Sequence, residues 1–349
     1  MLIYWILFLL IAGGALMARP DADGRSWPLF IAFASIPTIL MIGLRWEVGP
    51  DWPAYVDIYD YTRLYPLSQN LAHADPGYFT TMWVLHQFDA PFWVLNMVCG
   101  LVFVAGLTAF ARRQPNPWLA FLVAFPYLVI VVAMSGNRQS MALGLMFFAL
   151  NAFERERLVK FTALILLAGT FHGSVLLVLP FGLLSYSRNG LMSVLLLLFA
   201  AVMAYYLSRD AFAIYANRYT QVRIQSTGVA YRLAMNGLAA GIFLLYQRRF
   251  ALDEHQAKLW RNMSLATLAL VPLLLVIPSS TAIDRFLLYL FPLQFVILSR
   301  VPSSLGHDAR SRAQFTFMVV GYAALVQIVF LMFGKFAQAY IPYQTIFRT

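Results

Sequence analysis

The residues of this chain that could do chemistry fall into a few short groups. Their types point to proton transfer beside a bound anion. The first group runs Arg45-Trp46-Glu47-Val48-Gly49-Pro50-Asp51-Trp52-Pro53-Ala54-Tyr55, with Tyr59 one turn further on. Asp51 and Glu47 are carboxylates able to take a proton from a hydroxyl. Asp51 also sits where an N-cap is expected, because Pro53 suits the first turn of a helix. Tyr55 and Tyr59, four apart, share one face of that helix. The second group, Ser135-Gly136-Asn137-Arg138-Gln139-Ser140, places a guanidinium at a helix start, where backbone N–H groups also favour an anion. The third is His172, flanked by Gly169 and Gly173, a side chain suited to carrying protons near neutral pH. The fourth is Asp284-Arg285, together with Arg232, which needs Asp284 or an anion as partner if it is buried. A stretch at 209–228 adds Arg209, Arg218 and Arg223. Plainer roles compete with each of these: helix capping, an interfacial aromatic belt, snorkelling arginines and a hydrogen-bonded core histidine.

The elements that must position these groups are set by composition. Of 349 residues, 61% are hydrophobic and 11% charged, against about 45–50% apolar and about 25% charged in soluble domains. That excludes a soluble enzyme, a disordered tail and a coiled coil, and makes lipid the solvent. A bilayer core takes about 20 apolar residues per helix. Apolar runs fall at about 2–17, 28–44, 91–111, 117–134, 139–153, 160–187, 190–208, 229–247, 262–278, 286–299 and 313–333. The run 160–187 is long for one helix and is broken by polar residues at His172, so it is read as two short helices, 158–171 and 173–187. The prediction is an all-α polytopic membrane protein of about 11–12 transmembrane helices, forming one integral membrane domain over 1–349. The lone Cys99 excludes an internal disulfide and a thiolate metal site. Residues 2–17 lack the basic n-region of a cleavable signal peptide.

Sidedness follows from the basic residues. There are 25 Lys+Arg against 15 Asp+Glu, a net charge of +10. Arg112–Arg113, Arg155/Arg157/Lys160, Arg248–Arg249 with Lys258 and Arg261, and Arg300/Arg310/Arg312 read as cytoplasmic. This accounts for the excess without a nucleic-acid partner. Segment 45–90, with amphipathic helices and the acids Glu47, Asp51, Asp57, Asp60, Asp75 and Asp89, reads as periplasmic, as does the loop 209–228. Each of the chemical groups above then lies at the outer face. Guanidinium forks bind phosphate oxygens in pairs, and aromatics beside acids suit sugar rings. A lipid-linked, phosphate-bearing saccharide fits this combination.

At these residues the sequence resembles the EpsG family of bacterial polysaccharide polymerases, relatives of the Wzy-type O-antigen polymerases. The likeness lies in Arg45…Gly49-x-Asp51…Tyr55…Tyr59, then Asp75-Pro76-Gly77-Tyr78, Asn137-Arg138-Gln139, Phe171-His172-Gly173-Ser174 and Asp284-Arg285-Phe286…Tyr289. It runs from about 40 to 300. Departures are Pro53 after Trp52, Asp75 where the family more often has glutamate, and Gly173 within a piece that usually reads His-Ser-Ser. The resemblance implies a GT-C-like membrane glycosyltransferase with periplasmic active-site loops, in the bacterial inner membrane. It would transfer a growing chain from its undecaprenyl pyrophosphate carrier to a new lipid-linked oligosaccharide. The implied partners are that lipid-linked oligosaccharide, the membrane and a chain-length regulator. On this reading Asp51 is the base, with His172 and Glu47 as alternatives. Arg138, Arg232 and Arg285 stabilise the leaving pyrophosphate, and Arg223 clamps it. Tyr55, Tyr59 and Gln139 orient sugars, and Arg45 and Asp284 complete the binding set. No metal and no cofactor is expected. A glycan ligase, a lipid-linked sugar transporter or flippase, and an acyltransferase with His172 as base remain alternatives; the lack of an internal repeat disfavours transport.

Overall fold

The computed structural model describes residues 1–18, 27–187, 195, 198, 202, 228–276 and 280–348. Among the described residues the chain is helical and contains no strand. In order the main helices are α1 (Leu2–Met17), α2 (Ile36–Gly43), α3 (Trp52–Thr62), α4 (Pro76–His86), α5 (Phe92–Ala111) and α6 (Pro117–Ala124). They continue with α7 (Asn137–Phe153), α8 (Leu158–Gly169), α9 (Leu179–Tyr186), α10 (Val229–Tyr246), α11 (Glu254–Val276), α12 (Ser280–Leu290), α13 (Pro292–Leu305) and α14 (Ala309–Phe333).

Among the described residues four helical stretches are long and apolar enough to cross a bilayer: Phe92–Ala111, Val229–Arg249, Ile283–Leu305 and Ala309–Phe333. Several other expected spans are present as shorter apolar helices, among them Leu2–Met17, Leu158–Gly169 and Gly173–Tyr186. Proline explains part of the difference. Stretches of wide, π-type turn run Ile31–Ser35, shortly before Pro37, and Phe125–Ala133, which contains Pro126; neither proline can donate to an i→i+4 ladder. The run expected at 286–299 is two helices, α12 and α13, parted at Phe291 before Pro292. The run expected at 262–278 begins earlier, at Glu254.

The turn expected at His172 is present. α8 ends at Gly169, a 3₁₀ turn runs Gly173–Val178, and α9 returns until Tyr186 stacks on His255. The helices therefore share two ends. At one end Glu154 is buried between Arg113 and Arg300, and Gln114 accepts from Arg300 at 3.1 Å. At the other end the segment 45–51 meets the turn 134–138 and the C-terminal residues 337–348.

Between the two ends, α5 and α7 pack against each other. They cross so closely that a Cβ on Gly106 would lie 2.1 Å from the Gly144 carbonyl oxygen. The C-terminal segment then straps the 45–51 loop. The Gly49 N–H donates to the Ala339 carbonyl at 2.8 Å, Trp46 N–H to Gln344 at 3.0 Å and Ile346 N–H to Leu44 at 3.1 Å. Gly49 has a φ of 104°, and a Cβ there would lie 2.3 Å from the Met134 carbonyl oxygen. Gly49→Ala is accordingly expected to cost at least about 2 kcal/mol, since both the backbone strain and the clash fall on rigid atoms. Thermal unfolding in detergent measures this; an unchanged Tm contradicts it.

Candidate active site

Two aspartates occupy helix N-cap positions, Asp51 before α3 and Asp75 before α4, yet neither side chain caps its helix. Both reach instead to the turn that precedes and opens α7. Asp51 Oδ2 accepts from Ser135 Oγ at 2.7 Å, and Asp75 Oδ2 accepts from Arg138 Nη1 at 2.7 Å. A capping bond stabilises by about 1 kcal/mol. Its absence at both positions means the carboxylates are fixed by tertiary partners.

Arg138 is the hub. Its guanidinium meets Asp75 on one side and the Tyr55 hydroxyl on another, while 38% of its side chain stays exposed. Asp75 is 6% exposed and also takes the Gly173 N–H. Burial pushes its carboxyl above the ordinary carboxylate range, and Arg138 pulls in the opposite direction. The start of α4 is pinned to the hairpin turn. Gly77 N–H donates to the Thr170 carbonyl at 2.8 Å, and a Cβ on Gly77 would strike Thr170 Oγ1. That contact holds Asp75, Gly173 and His172 together.

Around this hub stand the other expected groups. His172 has Arg138 and Arg285 as its charged neighbours, and its ring lies 6.2 Å from that of Tyr289. His172 Nε2 and the Tyr289 hydroxyl are buried, and neither has a hydrogen-bond partner among the described residues. Arg285 is exposed and lies within electrostatic reach of Asp75. Arg232 pairs with Asp284 and lies 5.8 Å from the Tyr127 ring centre. Gln139 folds back beside Gly136, and Glu47 is exposed on the rim at a φ of 51°.

Two expected ligand contacts face inward. Arg45 is 1% exposed. It donates to the Ile42 carbonyl at 2.8 Å and to Asn137 Oδ1 at 2.6 Å, with its guanidinium 5.7 Å from the Trp52 ring centre. A buried cation has to find acceptors, and Arg45 finds them in the protein. Tyr59 is 3% exposed, and its hydroxyl is committed to the Ala90 carbonyl at 2.6 Å. Both residues therefore support the site from behind. Arg223, with most of the loop 209–228, lies outside the described residues.

Three site residues had no assigned role in the sequence reading: Asp75, Ser135 and Tyr289. Asp75 belongs to one of the strings that carry the family resemblance, but its neighbours in sequence do not reveal its ion pair with Arg138. Ser135 and Tyr289 likewise stand within strings already named, with nothing local that points to the groups they meet. Among the described residues no three His, Cys, Asp or Glu side chains converge as a metal-binding group would.

Fold and site together define a helical membrane protein with a guanidinium–carboxylate centre at one end of its bundle. The chain matches the EpsG family over residues 28–345 and belongs to that family, whose members are Wzy-type polymerase-like. The matched span contains every residue of the centre. No curated protein and no solved structure matches the chain.

Proposed function

We propose that this chain is a multi-pass glycosyltransferase of GT-C type in the bacterial inner membrane. It polymerises undecaprenyl-pyrophosphate-linked oligosaccharide repeat units, with the Arg138 end of the bundle facing the periplasm. The observation that carries the reading is the presentation of Arg138. An acid and a phenol hold it at a helix start, and part of its guanidinium stays open. A leaving pyrophosphate needs fixed positive groups of this kind where its charge develops. Arg285 and Arg232 extend the same positive rim, and Arg223 is the proposed clamp.

In this mechanism a hydroxyl on the non-reducing sugar of the acceptor attacks the anomeric carbon of the chain's first sugar. The bond from that carbon to the pyrophosphate oxygen breaks, and the electron pair leaves with undecaprenyl pyrophosphate. Asp51 takes the hydroxyl proton. It is exposed, and its bond from Ser135 holds one oxygen and leaves the other for the acceptor. Gln139 lines the approach for sugar rings, and the buried Tyr55 serves by holding Arg138. Glu47 and His172 are the alternative bases, and Asp284 serves by holding Arg232.

Purified protein in proteoliposomes, given lipid-linked repeat units, is expected to yield a ladder of polymer. Asp51→Asn is expected to slow it about 10²–10⁴-fold, the usual contribution of a positioned base. A full-rate ladder from Asp51→Asn at normal protein level removes Asp51 from the role. No ladder from the wild type removes the polymerase reading itself.

A further inference from the structure

The opposite end of the bundle carries a polar feature that glycosyl transfer does not use. Between the end of α7 and the start of α8 lies a cavity of about 180 Å³ lined by Asn151, Arg155, Arg157 and Lys160, with Phe148 and Leu164 as apolar wall. Three cations at this end lie on acids: Arg113 and Arg300 on Glu154, and Lys258 on Glu254. Arg155, Arg157 and Lys160 form no ion pair among the described residues. α8 begins beside the cavity with no capping side chain, which leaves its first N–H groups open to an acceptor. Among the described residues the buried Asn151 Oδ1 accepts no hydrogen bond.

We infer that this cavity binds the headgroup of an anionic phospholipid, of phosphatidylglycerol chemistry. The three cations take the phosphodiester, and the Asn151 amide, turned so that its oxygen faces the cavity, accepts from a headgroup hydroxyl. The acyl chains follow α8, where Val159, Leu166 and Leu167 are 85%, 51% and 47% exposed. Size supports a headgroup over a sugar chain. The volume equals roughly six waters, below the about 300–1,000 Å³ typical of sites that enclose a larger ligand. Basic residues at a cytoplasmic boundary need no ligand to orient a membrane protein. Here, however, they line a walled space together with an amide whose oxygen has no partner among the described residues, which orientation alone does not require. This inference stands apart from the polymerase reading.

The test uses the full protein in phosphatidylcholine nanodiscs with graded phosphatidylglycerol, following Tm and, by native mass spectrometry, retained lipid. Wild type is expected to gain Tm with phosphatidylglycerol and to retain that lipid. The variant Arg155→Gln/Arg157→Gln/Lys160→Gln is expected to lose both, with affinity falling roughly fivefold per cation removed. Its three positions are exposed, so its fold should survive. Arg248→Gln/Arg249→Gln, at the same end, is expected to titrate as wild type does. Asn151→Leu is expected to weaken phosphatidylglycerol while leaving phosphatidic acid unaffected. The inference is overturned if the triple variant behaves as wild type, or if both multiple variants lose the response equally. It is overturned too if inorganic phosphate added to pure phosphatidylcholine discs reproduces the rise.

Discussion

Arg138→Lys is expected to lower polymer formation about 10²–10³-fold while leaving the protein folded and abundant in the membrane. The magnitude is that of removing one fixed donor from a site where charge develops. The substitution keeps a positive charge, so it separates geometry from charge. A guanidinium can hold Asp75 and Tyr55 on some of its N–H groups and still offer others to pyrophosphate. An ammonium is a point donor on a flexible stem and cannot span all three. Arg138→Ala adds a structural cost, because it leaves the buried Asp75 carboxylate without its counter-charge. Discounting for the partial exposure of Arg138, that cost is about 2–3 kcal/mol.

Asp75 is a positioning residue on this view, and a conservative exchange discriminates. Asp75→Asn is expected to lose most activity, and Asp75→Glu to recover it, since the family resemblance itself runs through glutamate at this point. Rates are read from ladder formation against protein level, with Tm recorded for each variant. Equal activity for Arg138→Lys and wild type would overturn the assignment.

How much of this could be read from the residues alone depends on the range of the interaction. The helical, lipid-dissolved class follows from composition. The break at His172 follows from a run too long for one helix and from its glycines. Both are local properties. Arg138 was visible because a charge at a helix start, next to an apolar run, has few explanations. The role of Asp75 was not, since its partner Arg138 lies 63 positions away and nothing near either residue points to the other. Arg45 shows the opposite case. Three charges crowd the stretch 45–51, and sequence cannot tell which of them turns inward. The deciding facts are the carbonyl of Ile42, the amide of Asn137 and the face of Trp52, of which Asn137 lies 92 positions away. The C-terminal strap was equally illegible, because residues 337–348 carry no motif and act through backbone bonds to 44–49.

Arg45 carries the second large expected effect, and it is one of architecture. Arg45→Ala is expected to destabilise the protein by about 3–5 kcal/mol. The change removes a large buried side chain and leaves the Ile42 carbonyl and Asn137 Oδ1 without their donor. Arg45→Met fills most of the space and restores no hydrogen bond, so its cost is expected to be smaller, about 1–3 kcal/mol. The pair is informative because Asn137 is the first residue of α7 and also donates to Asn96 at 2.9 Å. Loss of the Arg45 bond frees the side chain that sets the entry angle of α7, and Arg138 is the next residue along. Arg45→Met should therefore fold and reach the membrane, yet polymerise more slowly than its loss of Tm predicts. A purely packing role predicts activity in proportion to folded protein. Polymer length and Tm measured together on Arg45→Met, with Tyr59→Phe as a second buried substitution behind the site, distinguish the two. If Arg45→Met gives wild-type chains per folded molecule, Arg45 is ballast for the fold, and the presentation of Arg138 rests on Asp75 and Tyr55 alone.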